Sequence, residues 1–506
     1  MKEVSELSVR RDVKIKNTGL IRSCWFWLCY TILSILISLL IMLFSGSLKI
    51  KRNIQTGADL EEFKVHIDER ITLLMKVYKI PGCSIALVKD GRIVWTEAYG
   101  YADVASGRLL TVDTPMSVQS ITKSVTAWGV MRLVEKGLID LEAPLSQYLK
   151  NWEFPQSDYP AENITIGQLL SHTAGMPLGD FTNVFAPGED MPSNREVMTS
   201  EAVLIREPGT GFSYSNTGYN LLELMIEEVT GRSFPDYMLN EILLPLGLET
   251  ATFNIDTTIV PYPPTGYDLK EKTVPVYLYP SKASGGLFAT AQDIARFVLA
   301  GLKENPVLST GSIKRMYQAE SKKIGIYGLV FDGYGFGHYI ETLPNGLLSI
   351  SHGGQGNGIM THFQAVPETG DAIVILTNSQ RSWPFIACIL RDWAQWRAFP
   401  SVGMEKIIWG HYVMSGIIGM LISSCLMMII GTVMAFCQGK RVKARLLRAI
   451  TSLILLGILI WCACQKYLFI TSVFPVLSMW LGYSVLILSV ALFSSALFPL
   501  RRLKVF

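Results

Sequence analysis

Ser120 and Lys123 stand three residues apart in the stretch Val118-Gln119-Ser120-Ile121-Thr122-Lys123-Ser124. A serine hydroxyl is a weak nucleophile until a base takes its proton, and an amine one helical turn away can reach it. A helix N-terminus there would favour developing negative charge, and burial would push Lys123 towards its neutral, basic form. Ser-x-x-Lys is also ordinary in any first helical turn, so two further clusters decide its meaning. In Pro208-Gly209-Thr210-Gly211-Phe212-Ser213-Tyr214-Ser215-Asn216, extended backbone would point Tyr214 and Asn216 the same way. A tyrosine can act as a base or carry a proton in transit, and an Asn amide can hold a lysine and a substrate carbonyl at once. The third cluster is His352-Gly353-Gly354-Gln355, entered by an apolar run. Its glycines allow another group close to the backbone. Alone, the tyrosine reads as a packed loop ring and the histidine as a satisfied turn or core residue.

The elements that must position these groups read as a mixed α+β domain. Phe63, Ile67, Ile71, Leu74 and Tyr78 mark one face of an amphipathic helix. Cys83–Val88 and Arg92–Ala98 read as strands joined at Lys89-Asp90-Gly91. A helix followed by an antiparallel hairpin implies a sheet packed against helices. Ala127, Val130, Met131 and Val134 predict a helix after Ser120, stopped by Gly137. Leu221, Leu222, Met225, Ile226 and Val229 predict another after Asn216, ended by Gly231. Thr361–Pro367 and Ala372–Asn378 read as strands following the one that carries His352.

Of the 506 residues, 49% are hydrophobic and only 17% charged, and mean hydropathy is +0.32. That is too apolar for an ordinary soluble enzyme and implies membrane segments. The net charge of +3 points to no nucleic-acid partner. Residues 1–22 are a basic tail, and 23–46 hold an uncharged apolar run long enough to cross a bilayer. A secretory signal is the competing reading, but the run is long and no small-residue cleavage site precedes Lys49. Residues 47–400 are assigned to one exported domain. Residues 401–506 carry three further apolar runs, about 407–437, 449–466 and 473–499, with a basic loop at 438–448. Basic flanks mark cytoplasmic sides. This predicts a multi-pass protein of the cell membrane, with both termini cytoplasmic and the domain outside.

The three clusters in this order resemble the motifs of the class C β-lactamase and penicillin-binding-protein family of serine hydrolases. Supporting stretches are Leu170-Ser171-His172-Thr173-Ala174-Gly175, Pro245-Leu246-Gly247-Leu248 and Gly285-Gly286-Leu287-Phe288-Ala289-Thr290. The resemblance covers about residues 60–395 and not the membrane segments. It implies an antiparallel sheet flanked by helices plus a mostly helical lobe, with the site between them. By position it makes Ser120 the nucleophile of an acyl-enzyme, and Lys123 and Tyr214 the proton carriers. Asn216 positions Lys123 and the substrate. The backbone N–H groups of Ser120 and Gln355 form the oxyanion hole, and His352, Gly353 and Gly354 line the wall. His172, in no motif with a chemical partner, is assigned to structure.

Many relatives carry lysine where this chain has His352, and a mostly neutral histidine holds a carboxylate less well. The resemblance therefore points to a D,D-peptidase or esterase acting on a D-amino-acid-containing peptide or cell-wall component. Three alternatives stand beside it: a class C-type β-lactamase, an N-acyl-D-amino-acid prodrug-maturation peptidase, and an acyl-sensor or inactive binding protein. The prodrug subgroup tends to have Ser where this chain has Asn216. The substrate is a peptide, an ester or a β-lactam-like small molecule, and the bilayer is the other partner. No Cys/His spacing suggests a metal and no phosphate loop suggests a nucleotide, so no cofactor is expected. Of eight cysteines only Cys83 and Cys388 fall in the exported domain, and buried free thiols are expected there.

Overall fold

Helix α1 (Leu60–Tyr78) opens where the Asp59 carboxylate accepts the Glu62 N–H at 2.8 Å, an N-cap. Its expected face, Phe63, Ile67, Ile71, Leu74 and Tyr78, is buried. Strands β1 (Gly82–Lys89) and β2 (Arg92–Asp103) follow, turning through Asp90 and Gly91 at φ +51° and +72°. Such left-handed pairs match the twist of a two-residue hairpin. The structure, a computed structural model, describes residues 24–45, 54–256, 258–438, 444–465 and 468–497.

The hairpin joins β3 (Arg108–Leu109), β4 (Gly333–Tyr334), β5 (Tyr339–Thr342), β6 (Leu348–Gly356), β7 (Ile359–Val366) and β8 (Asp371–Thr377). The strand order of this sheet is β3-β2-β1-β8-β7-β6-β5-β4, antiparallel throughout. The first hairpin thus pairs with the last strand, Cys83 opposite Thr377 and Val88 opposite Ala372. Every residue of β7 and β8 is buried, as expected of central strands covered on both faces. Ala372, Val374 and Leu376 share a core with Ile294, Ala295 and Val298 of α4 (Ala291–Ala300). Residues of opposite parity meet α5 (Trp383–Trp396), whose Trp383 packs near His362. The Trp396 ring stacks on Phe63 of α1 at 4.0 Å. Cys83 and Cys388 are buried free thiols.

Between β3 and β4 in sequence lies a mostly helical lobe built on α2 (Thr122–Glu135) and α3 (Asn216–Thr230). The sequence pattern predicts one buried face on α2, but the helix is buried all round from Thr122 to Met131. It is a central helix. Trp128 meets Phe297 of α4 at 5.3 Å, Ser124 donates to the Gly337 carbonyl at 2.5 Å, and Gly129 lies against Met238 and Tyr237. Polar side chains on such a helix must find partners inside the protein, and those of Lys123, Ser124 and Thr126 do so.

The chain divides into two compact units, Asn53–Ile407 and the segments on either side of it in sequence. Among the described residues, four helical segments are long and apolar enough to cross a membrane: Cys24–Phe44, Gly403–Cys437, Arg445–Cys464 and Leu477–Leu497. The third opens four residues before the apolar run, so Arg445 and Arg448 lie on it. They donate to the Ala496 carbonyl and Ser495 Oγ. The last long helix opens at Leu477, four residues into the expected run and just past Pro475, and a short helix, Phe469–Val473, precedes it; proline cannot continue a helix. Small polar residues join these helices, with Ser452 and Ser489 hydroxyls 3.0 Å apart. The basic tail 1–22, Lys440, Arg441 and Lys443 of the loop, and the basic C-terminus lie outside the described residues.

Candidate active site

Ser120 lies in a single 3₁₀ turn, Gln119–Ile121, that runs straight into α2. Gln119 holds φ +51°, a conformation that residues with a Cβ adopt sparingly. Its amide is pinned: Nε2 donates to Ser117 Oγ (2.8 Å) and Tyr277 Oη (3.2 Å), and Oε1 accepts from the Tyr279 hydroxyl (3.1 Å). The strained turn is thereby held with Ser120, half-buried, at the start of the helix.

Lys123 Nζ lies 3.1 Å from Ser120 Oγ, 2.7 Å from Asn216 Oδ1 and 2.7 Å from the Ser284 carbonyl oxygen. The last two atoms can only accept. A neutral amine has two N–H groups and one lone pair; both N–H groups are taken, so the lone pair faces the serine O–H. Burial holds the Lys123 amine well below the ordinary lysine range, which favours this form. The arrangement can therefore draw the proton from Ser120.

The Tyr214 ring is 5.0 Å from Nζ, and Ser120 is a polar neighbour of its hydroxyl. Burial, then the neighbouring Tyr327, push this phenol well above its usual range, and Ser120 pulls the other way. It is a neutral group that can pass a proton on rather than a standing phenolate. Tyr214 and Asn216 are fixed through the residue between them. The Ser215 hydroxyl donates to the Pro177 carbonyl (2.5 Å) and accepts the Gly218 N–H (2.8 Å), capping α3. The Ser215 N–H donates to His172 Nδ1 at 3.2 Å, and the His172 ring lies 4.5 Å from that of Tyr214. His172 thus supports the second motif.

Strand β6 pairs with β5 only as far as Ser351, so His352–Gly356 pair with β7 alone. The glycines here serve packing. A Cβ on Gly354 would sit 2.3 Å from the Val118 carbonyl oxygen and 2.9 Å from Gln119 Cβ. One on Gly353 would sit 2.5 Å from Trp383 Cη2. Gly354 therefore lets the nucleophile turn lie against the strand, which brings Gln355 beside it. The Gln355 side chain accepts from Trp383 Nε1 at 3.0 Å. His352 differs from expectation. It is wholly buried, with Nδ1–H donating to the Gly353 carbonyl (2.8 Å) and Nε2 accepting from the Tyr334 hydroxyl (3.0 Å). Burial holds it neutral. It stands behind the wall, under Tyr214, and not on it, because Tyr334 and Tyr339 close around the ring.

The domain that carries this site is similar to other proteins. The family profile described as Beta-lactamase matches residues 67–393. The chain belongs to the beta-lactamase family. Within this family of serine hydrolases it is 26% identical over 347 residues to penicillin-binding protein 4 of Amycolatopsis lactamdurans, covering 65% of this chain and 88% of that protein. It is 26% identical over 349 residues to penicillin-binding protein 4* of Bacillus subtilis (strain 168), covering 64% and 74%. Among solved structures, the octameric penicillin-binding protein homologue from Pyrococcus abyssi superposes with a TM-score of 0.56 at 28% identity, over 66% of this chain and 78% of that one.

In this beta-lactamase-family chain, sequence reasoning missed two residues around Lys123. Ser284 contributes only its carbonyl, and the sole signal was the familiar Gly285-Gly286 stretch beside it. Glu223 on α3 fixes that stretch: its Oε2 accepts the N–H groups of Lys282 (2.6 Å) and Ala283 (2.7 Å). Burial, opposed by the Ala283 N–H, raises its carboxyl to about 8. Glu223→Ala is expected to lower kcat by about 10–100-fold through loss of alignment at Lys123, with Glu223→Gln retaining most of it. A folded value above the unfolded 4.5 adds stability that is full below pH 4.5 and lost as pH rises through about 8. The wild-type melting temperature should therefore fall more over that window than that of Glu223→Gln, as thermal unfolding in detergent would measure.

Proposed function

We propose that residues 47–400 form an extracytoplasmic serine hydrolase, anchored by the four apolar helices with both termini and the 438–448 loop in the cytoplasm. The placing of basic residues at three separate flanks supports that topology. The substrate is an amide or ester of a D-amino-acid-containing peptide or cell-wall component. The observation that carries the reading is the buried Lys123 Nζ, within hydrogen-bond distance of Ser120 Oγ and held by two atoms that can only accept, Asn216 Oδ1 and the Ser284 carbonyl oxygen.

Lys123 takes the Ser120 proton as Oγ bonds to the acyl carbon. The backbone N–H groups of Ser120 and Gln355 hold the oxyanion. Tyr214 and Lys123 return the proton to the departing nitrogen or oxygen as its bond to the acyl carbon breaks. Water then attacks the acyl-enzyme by the reverse proton path. Asn216 keeps Lys123 in place throughout. His352, neutral and buried, brings no cation to the cleft, which favours a peptidase or esterase over an efficient β-lactamase.

The test is to offer membranes carrying the protein a D-alanyl-D-alanine peptide, a D-amino-acid ester and a chromogenic cephalosporin. Cleavage of the peptide or ester, with slow cephalosporin turnover, is expected. Fast cephalosporin turnover would make it a lactamase, and a stable adduct with no product would make it a sensor.

A further inference from the structure

A short 3₁₀ helix, Gly325–Leu329, links the site to the place where the chain begins its apolar helix Gly403–Cys437. Side chains three apart on a 3₁₀ helix line up, so Ile326 and Leu329 share one side, and they are 51% and 68% exposed. Tyr327, a third of a turn round, packs on the site instead, its ring 5.6 Å from that of Tyr214 and 5.5 Å from that of Tyr339. The Val330 and Phe331 N–H groups both donate to the Tyr327 carbonyl at 2.9 Å, and the Phe331 ring stacks on Tyr339 at 4.3 Å. The segment is therefore firmly rooted. It also touches the start of the apolar helix. A Cβ on Gly403 would sit 1.9 Å from the Val330 carbonyl oxygen, so the two backbones are in contact. The Gly403 N–H donates to Glu341 Oε1 of β5 at 2.6 Å, and residues 403–407 belong to the same compact unit as the site.

Single exposed apolar side chains are ordinary; this pair is set apart by what adjoins it. Lys322 and Lys323 precede it, both exposed. Asp332, the acid that follows it, accepts the Thr342 N–H at 2.7 Å. Trp409 and Tyr412, with rings 6.0 Å apart, are the aromatic pair expected where a helix enters a membrane. From Gly403 to Trp409 the helical rise is about 10 Å. However the domain is tilted, a segment touching Gly403 stays close to the surface that the helix enters.

We propose that residues 322–330 rest on the outer leaflet of the bilayer, with Ile326 and Leu329 among the headgroups and Lys322 and Lys323 on lipid phosphates, and that the cleft beside Tyr327 takes a peptide or ester carried on a lipid. This rests on the serine-hydrolase and membrane-anchor readings and narrows their substrate class. Apolar side chains flanked by lysines suit that layer. Tyr327 belongs both to this segment and to the rings around Tyr214, so this side of the cleft is held at the membrane surface. Enzyme and substrate confined to one surface meet at a high effective concentration.

The test uses full-length protein in phosphatidylglycerol–phosphatidylethanolamine liposomes. A benzophenone amino acid at Leu329 should crosslink to lipid on irradiation, as should one at Val433 within the apolar helix. One at Val260 should not. That residue is exposed beside the far edge of the sheet, where Arg108 of β3 donates to the Tyr262 and Pro263 carbonyls. One D-alanyl ester is then offered in two forms, water-soluble and lipid-borne. Ile326→Ser with Leu329→Ser should lower turnover of the lipid-borne form by about tenfold and leave the soluble form within about twofold. A Leu329 probe that labels only protein or nothing while the Val433 probe labels lipid overturns the proposal. So does a double variant with no selective loss on the lipid-borne ester. A Val433 probe that labels no lipid would be the failure of the anchor reading, and turnover of neither ester, with Ser120 unlabelled by a fluorophosphonate, that of the hydrolase reading.

Discussion

Ser120→Ala is expected to lower hydrolysis of any substrate by about 10⁴-fold or more, with folding intact. Removing a nucleophile from an otherwise complete site leaves only what binding and the oxyanion hole supply. The half-buried hydroxyl contacts Lys123, which Asn216 and Ser284 also hold, and lies near Tyr214, whose ring packs on His172 and Tyr327. Alanine should therefore keep the turn, whose shape is set by Gln119 and its three hydrogen bonds. Steady-state rates with a chromogenic ester, set beside thermal melting of the same preparation, check this. A melting temperature unchanged within a few degrees with residual activity above about a hundredth of wild type would assign the chemistry to another group.

Lys123→Met should lower kcat by about 10²–10⁴-fold, the usual reach of a general base, and should also erase the acid limb of the pH profile. Burial holds the wild-type amine well below the ordinary lysine value, and only the neutral amine can accept the serine proton. The wild-type kcat/KM should therefore rise with pH through an apparent pKa far below that of a free lysine, then level off. His172 and His352 lie near the same amine but are held neutral by burial, so neither should add a limb between about pH 6 and 9. Tyr214 stays protonated over the same range. A rate profile of the methionine variant that keeps the wild-type limb would move the base role elsewhere.

What the sequence made legible here was local. The stripe on α1, the β1–β2 hairpin and the strand pattern of β6 to β8 each follow from a period of 3.6 or 2, and the structure places them within a few residues. The spacing of Ser120 and Lys123 spoke of one helical turn, and their side-chain atoms meet. What stayed hidden was set by contacts distant in sequence. Ser284 reaches Lys123 across 161 positions and contributes only backbone, so its residue type carries no signal. Glu223 reads in sequence as a polar position on an amphipathic helix, but it is buried against the 282–283 backbone. His352 kept its place in the motif but lost its expected outlook, because tyrosines from other strands close over it. The all-round burial of α2 likewise comes from its position between sheet and helical lobe.

The most direct measurement is the mass-spectrometric location of the adduct left by a fluorophosphonate on the full-length protein in membranes. One adduct is predicted, on the tryptic peptide carrying Ser120, absent from Ser120→Ala and strongly slowed in Lys123→Met. An adduct on any other residue, or none on folded wild-type protein, would contradict the account.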